Sequence, residues 1–129
     1  MNEGKAIYSI LTSDSDVNAI LGTRVYPQIA AQEAAFPFVV YVLQNVDPSD
    51  TKSGVSTLDE VRYDIIVASE AYAEASDLTE KIRTALDRYS GTVAGVVIDS
   101  IQFIDLDVNN DPGTETYLTS AEYIIRVKR

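Results

Sequence analysis

The side chains most able to do chemistry in this 129-residue chain are the clustered oxygens of Asp105, Asp107, Asn109, Asn110 and Asp111. Closely spaced Asp and Asn resemble the opening of a calcium loop, in which carboxylates and carbonyls gather around a hard cation. Such a loop requires glycine at its sixth position and a bidentate glutamate at its twelfth. Counted from Asp105, those positions hold Asn110 and Thr116, and the flanking segments read as strands rather than helices. The cluster is therefore read as an Asx-rich hairpin turn, because these short side chains bond their own backbone.

Nucleophilic catalysis finds no better footing. There is no histidine to serve as a base, and no G-x-S-x-G elbow. A Ser–Lys dyad could draw on Lys5, Lys52, Lys81 or Lys128, but no spacing singles one out; Lys52 beside Ser53 reads as a solvated loop charge. The carboxylate pairs Asp14/Asp16 and Asp59/Glu60 fall at caps and turns, which already account for them. Neither a dinucleotide fingerprint nor a phosphate loop occurs. Without cysteine or histidine the usual ligands for zinc, copper and non-haem iron are missing. The reading is a chain that is not an enzyme and carries no cofactor and no metal.

Association is the chemistry that remains. Eight tyrosines stand against three phenylalanines and no tryptophan, and tyrosine suits interfaces because it adds area while keeping a hydrogen-bonding tip. The net charge is −10, spread evenly: four basic and nine acidic residues in 1–65, six and eleven in 66–129. That excludes a basic patch of the kind that neutralises phosphates. An acidic surface serves solubility, and would also let DNA pass without sticking. No export signal and no run near the length of a membrane span is visible, so no membrane partner is expected.

Positioning these groups requires a fold. The length suits one domain, 1–129. Residues 3–12 place Ala6, Ile7, Ile10 and Leu11 at helical spacing, and Ser13–Asp16 offer caps for a second short helix with Val17, Ile20 and Leu21 before Gly22. Residues 23–27 are a brief extended piece and 28–35 a loop. Residues 36–46 are the strand the chain is built around: Phe38 to Leu43 are apolar at every position, so both faces want cover. Residues 47–55 read as an exposed connection and 58–68 as a second, antiparallel strand. A long helix over 70–89, capped by Ser69, is expected to turn Ala71, Ala75, Leu78, Ile82, Leu86 and Tyr89 to the sheet. A third strand lies within 93–108, with a bulge or bend near 99–102; residues 109–114 make a turn and 115–129 the last strand. The expected fold class is α+β: a four-stranded, mostly antiparallel sheet with one long helix on a face and two short N-terminal helices, in the order ααββαββ.

The succession Ala6-Ile7…Ile10-Leu11, Val17…Ile20-Leu21-Gly22, Arg24-Val25-Tyr26-Pro27 and Phe36-Pro37-Phe38-Val39-Val40-Tyr41 resembles the tail-completion, or tail-terminator, family of long non-contractile-tailed bacteriophages and prophages. The likeness continues through Asp77-Leu78, Ala85-Leu86-Asp87, Ser90-Gly91 and Gly95-Val96. The resemblance implies a structural virion protein that caps the head-proximal end of the tail tube, ends tail polymerisation and joins the head. It further implies a hexameric ring with a bore through which DNA passes without specific binding. Expected partners are further copies of this chain, the tail tube protein and a head-completion or connector protein. The expected location is the tail–head junction of the virion, and the host cytoplasm during assembly.

A ring closed head to tail gives each subunit two different patches. The exposed side of residues 38–43 is the expected subunit interface, with Phe38, Val39, Tyr41, Leu43 and Tyr26. Asp47, Asp50, Lys52, Asp107, Asn109 and Asp111 are the candidate tube or head contacts. Two other readings compete: a different head–tail connector or neck protein, and a small cytosolic ligand-binding α+β domain, which would need a pocket of convergent polar groups.

Overall fold

Asp14 divides the N-terminal helical segment in two. The computed structural model describes residues 3–22, 24–28, 36–48, 58–111 and 116–128, and in it Asp14 holds an extended backbone between α1 (Glu3–Ser13) and α2 (Ser15–Leu21). Its Oδ1 accepts from the N–H groups of Asp16 and Val17 at 3.0 and 3.1 Å, satisfying donors the first turn of α2 leaves free. Gly22 ends α2 at φ 59°, ψ −119°, a conformation that suits a residue without Cβ. Ala6, Ile7, Leu11, Val17 and Leu21 are buried from these two helices. No helix among the described residues is long and apolar enough to cross a membrane.

The remaining elements are β1 (Val25–Pro27), β2 (Phe38–Pro48), β3 (Leu58–Ser69), α3 (Tyr72–Leu86), β4 (Gly91–Val93), β5 (Val96–Asp111) and β6 (Thr116–Lys128). The strands form one sheet in the order β1-β2-β3-β6-β5-β4. β1 runs parallel to β2 and every other pairing is antiparallel. The expectation of a four-stranded sheet is overturned: among the described residues the sheet has six strands, is mixed and curls into a half-barrel, with three helices. The order is ααβββαβββ rather than ααββαββ.

Both additional strands are only three residues long, too short to show alternation in the sequence. Their partners, rather than their own residues, make them strands. Val39 N–H donates to Arg24 O at 3.0 Å and Gln28 N–H to Tyr41 O at 2.9 Å, fixing β1 on β2. β4 folds back on β5 through Ala94 and Gly95, at φ 52° and 80°, with Val93 facing Val96. Two central residues at positive φ match the twist of the flanking strands.

The long helix is shorter than its periodicity suggests. Ala71 occupies the cap position, and Ser69 instead ends β3. From there the Ser69 hydroxyl accepts from Ala71 N–H at 3.1 Å and donates to Glu74 at 2.8 Å, so it braces the first turn from outside. Ala75, Leu78, Ile82 and Leu86 are buried from α3 as their spacing requires.

β5 changes phase twice, at register shifts between Ile98 and Ser100 and between Phe103 and Asp105. The first falls where the sequence pattern breaks. Each shift leaves one residue out of step, so Ile98, then Ile101 and Phe103, then Leu106 and Val108 stand on the same side. That side carries all three helices, and the core lies between them and the sheet: Leu11, Ile65, Leu78, Ile82, Leu86, Ile101, Tyr123 and Ile125 are almost wholly excluded from solvent.

Candidate assembly surfaces

Among the described residues, one face of the sheet carries the helices and the other carries none. Residues alternate across the pleat, so the register fixes what the uncovered face presents. At one end of the strands, Phe38, Ala68 and Leu118 stand in a row, followed by Tyr26, Val40, Ile66 and Ser120. The Tyr26 and Phe38 rings meet edge to face with centroids 6.2 Å apart, and Phe36 lies 5.2 Å from Phe38. This aromatic group sits at the β1 edge, where Phe36 is 39% exposed.

Further along, the same face turns charged. Val42, Asp64, Glu122 and Asp105 form one row across four strands. Arg62 Nη1 reaches Glu122 Oε1 at 2.9 Å, and Gln44 Nε2 donates to Asp64 Oδ2 at 2.8 Å. Partial burial raises the Asp64 pKa above the ordinary carboxylate value; the charge of Glu122 and, more weakly, that of Asp107 act the same way, while the Gln44 bond works against them. At the far end Arg126 Nε meets Glu60 Oε1 at 3.2 Å.

The residues expected at a subunit interface divide between the two faces. Phe38 and Tyr26 stand together on the uncovered face. Val39 and Tyr41 lie in the core beneath the helices, with Tyr41 against α1: a Cβ on Gly4 would come within 3.0 Å of Tyr41 Cε2. Leu43 is partly buried against that core, and its N–H is held by Gln28 Oε1 at 2.7 Å. A run that is apolar at every position supplies both faces at once, so sequence alone does not separate its core half from its free half. Among the expected tube or head contacts, Asp107 is exposed on β5. Asp47 lies near the end of β2, and Asn109 and Asp111 lie on β5 rather than in a turn, because the ladder with β6 runs on to Asp111 and Thr116. Asp50 and Lys52 lie outside the described residues, as do residues 112–114 of the expected turn.

Two features at the opposite, β5, edge went unread in the sequence. One is a groove of about 100 Å³ between the start of α3 and β5, lined by Tyr72, Thr79, Glu80, Leu106, Val108 and Thr119. Tyr72 and Val108 are 58% and 54% exposed there, and Tyr72 meets Tyr117 edge to face at 5.8 Å. The apolar Leu106 and Val108 inside the run Asp105–Asp107–Asn109 were the signal. The other is an open cleft of about 580 Å³ onto which Arg83, Arg88 and Arg126 converge beside Asp87 and Asp99. Arg83 lies 4.1 Å over the Phe103 ring, and Asp87 accepts from Phe103 N–H at 3.1 Å. Arg88, at φ 65°, has no ion-pair partner among the described residues. No group of three His, Cys, Asp or Glu that could hold a metal ion occurs among the described residues.

Comparison with known proteins agrees with a role in assembly. The family model described as tail completion protein gp17 matches residues 5–128. No curated protein matches the sequence. Among solved structures, a chain from the virion of a native gene transfer agent particle is 19% identical, with a TM-score of 0.83 over 98% of this chain and 94% of its own. A second solved chain is 11% identical, with a TM-score of 0.58 over 98% of this chain and 91% of its own. At these identities the two structures establish a shared fold.

Proposed function

This chain belongs to the tail completion protein gp17 family, and on that premise we propose that it closes the head-proximal end of a phage tail tube. Its role is that of a structural tail protein. The finer reading is that it stops tube polymerisation and offers the surface on which the head is joined, acting as a ring of six copies around a bore. The observation that carries this reading is the family match across residues 5–128, nearly the whole chain.

A terminator must bind like a tube subunit on one side and refuse the next subunit on the other, which calls for unlike surfaces on one small body. The uncovered sheet face, apolar at one end and charged at the other, supports that reading. Phe38 and Tyr26 are the proposed centre of the subunit contact, with Val39, Tyr41 and Leu43 holding β2 in place from behind. Asp47, Asp50, Lys52, Asp107, Asn109 and Asp111 are the proposed contacts with the tube protein or the head-completion protein. The net charge of −10 favours passage of DNA along the bore without adhesion. The place of action is the tail–head junction of the virion, after assembly in the host cytoplasm.

Electron microscopy of particles made without this protein tests the proposal. Overlong tails and separate filled heads are the expected products. Tails of finished length that fail only to join heads would instead assign the chain to the neck.

A further inference from the structure

The aromatic group at β1 and the groove at β5 lie at opposite edges of one sheet but at the same level along it. The register runs from Val39 through Val67 and Thr119 to Val108, so Phe38 on one edge stands level with the groove on the other. A second line runs from Asp47 through Glu60 and Arg126 to Ser100, which places the end of β2 level with the arginine cleft. β1 covers β2 at Val39–Tyr41 and is itself the outer strand beside the aromatic group, whereas β4 covers β5 only at Val96–Ile98 and Arg88 and Tyr89 bond the Ile101 backbone, so among the described residues no strand pairs with the outer side of β5 beyond Ile101. Unpaired edges of this length are templates for association unless something covers them.

We infer that the covering element is a second copy of this chain, with the Tyr26, Phe36 and Phe38 edge of one copy seated in the Tyr72, Leu106 and Val108 groove of the next. Because the aromatic group lies on the helix-free face and the groove on the helical face, adjacent copies overlap like roof tiles rather than abut. Charge agrees with this order. Head-to-tail placement brings the Asp47 end of one copy to Arg83, Arg88 and Arg126 of the next, where Arg88 lacks a partner among the described residues. A two-fold pairing about an axis parallel to the strands would set Arg88 against Arg88, or Asp47 against Asp47, in a molecule already at −10. Two unlike patches related by rotation form a heterologous interface, which repeats until it closes. The inference rests on the ring reading above and names the two surfaces that would make it.

The chain has no cysteine, so disulfide trapping in the full-length protein tests the contact directly. Phe36→Cys with Val108→Cys in one chain, mildly oxidised at high concentration, should give a ladder of linked dimers, trimers and larger species. Each single variant should stay unlinked, because each surface meets its unlike partner, and Thr84→Cys with Val108→Cys should give no ladder. Adding Arg88→Glu should suppress the ladder, and adding Asp47→Arg to that variant should restore it. Rings seen by native mass spectrometry without the Phe36–Val108 link would overturn this interface and leave the proposed function standing. A protein that stays monomeric and unlinked under every condition would count against both.

Discussion

The carboxylates of Asp64 and Glu122 stand directly opposite one another across the β3–β6 ladder, two like charges in register on the helix-free face. Like charges placed so are destabilising, and the Asp64 pKa is raised first by partial burial and then by the charge of Glu122. A carboxylate with a raised folded pKa lowers stability as pH climbs from its ordinary value through the raised one, because the folded state holds the proton more tightly. Asp64→Asn should therefore stabilise the protein at pH 7 and bring no gain at pH 3. Urea unfolding of both proteins at the two pH values reads this out; an equal gain at both would assign the effect to something other than charge.

Tyr123 lies in the core, 1% exposed, and its hydroxyl has no hydrogen-bond partner among the described residues. Burial raises its pKa well above the ordinary tyrosine value, an effect that Asp87 and Glu80 reinforce and Arg83 opposes, so it stays protonated. Its ring meets Phe103 edge to face at 5.6 Å, an interaction that phenylalanine keeps. Removing an unsatisfied buried hydroxyl relieves about 1–3 kcal/mol of desolvation. Tyr123→Phe should leave stability unchanged or raise it by up to about that amount. A loss above about 1 kcal/mol in chemical denaturation would show that the hydroxyl is bonded in solution.

Ala94 holds φ 52° at the first central position of the β4–β5 turn. A left-handed conformation costs an L-residue with a Cβ roughly 1–2 kcal/mol, and asparagine tolerates it better. Ala94→Asn should raise stability by about 0.5–1 kcal/mol. A rise in melting temperature checks this, and Ala94→Val should lower it.

Leu78 is fully buried where α3 meets the sheet. Leu78→Ala removes its packing and leaves a cavity, at a cost of about 2–5 kcal/mol. Unfolding midpoints should shift accordingly, whereas Asp77→Ala one residue away should cost only about 0.3–0.5 kcal/mol, since its partner Lys81 is an exposed i,i+4 neighbour at 2.9 Å.

The sequence showed Ala75, Leu78, Ile82 and Leu86 of the α3 stripe, a break between the two N-terminal helices (read one residue early, at Ser13) and the first phase change in β5, because each is a local pattern. It showed the extended piece at 23–27 but not its pairing as β1, and it did not show β4; these three-residue segments become strands only when Val39 and Val96 are brought alongside. Phe38 and Tyr26 were legible as surface candidates through their aromatic character. Val39 and Tyr41 could not be told from them, because a strand apolar at every position hides which half faces inward. The arginine cleft was invisible for another reason: Arg83, Arg88 and Arg126 come from separate elements, and only the sheet order gathers them.

β6 lies in the middle of the sheet, between β3 and β5, although it is the last strand in chain order. Everything that precedes it emerges from the ribosome as two sets of strands that lack the strand hydrogen-bonded to both. β3 waits for a neighbour that is translated some sixty residues after it, as the pairing of Arg62 with Ile124 and of Ile65 with Ala121 shows. The β1–β2–β3 and β4–β5 portions thus become one hydrogen-bonded sheet only once residues 116–128 are in place, so the last strand made is the one that closes the fold.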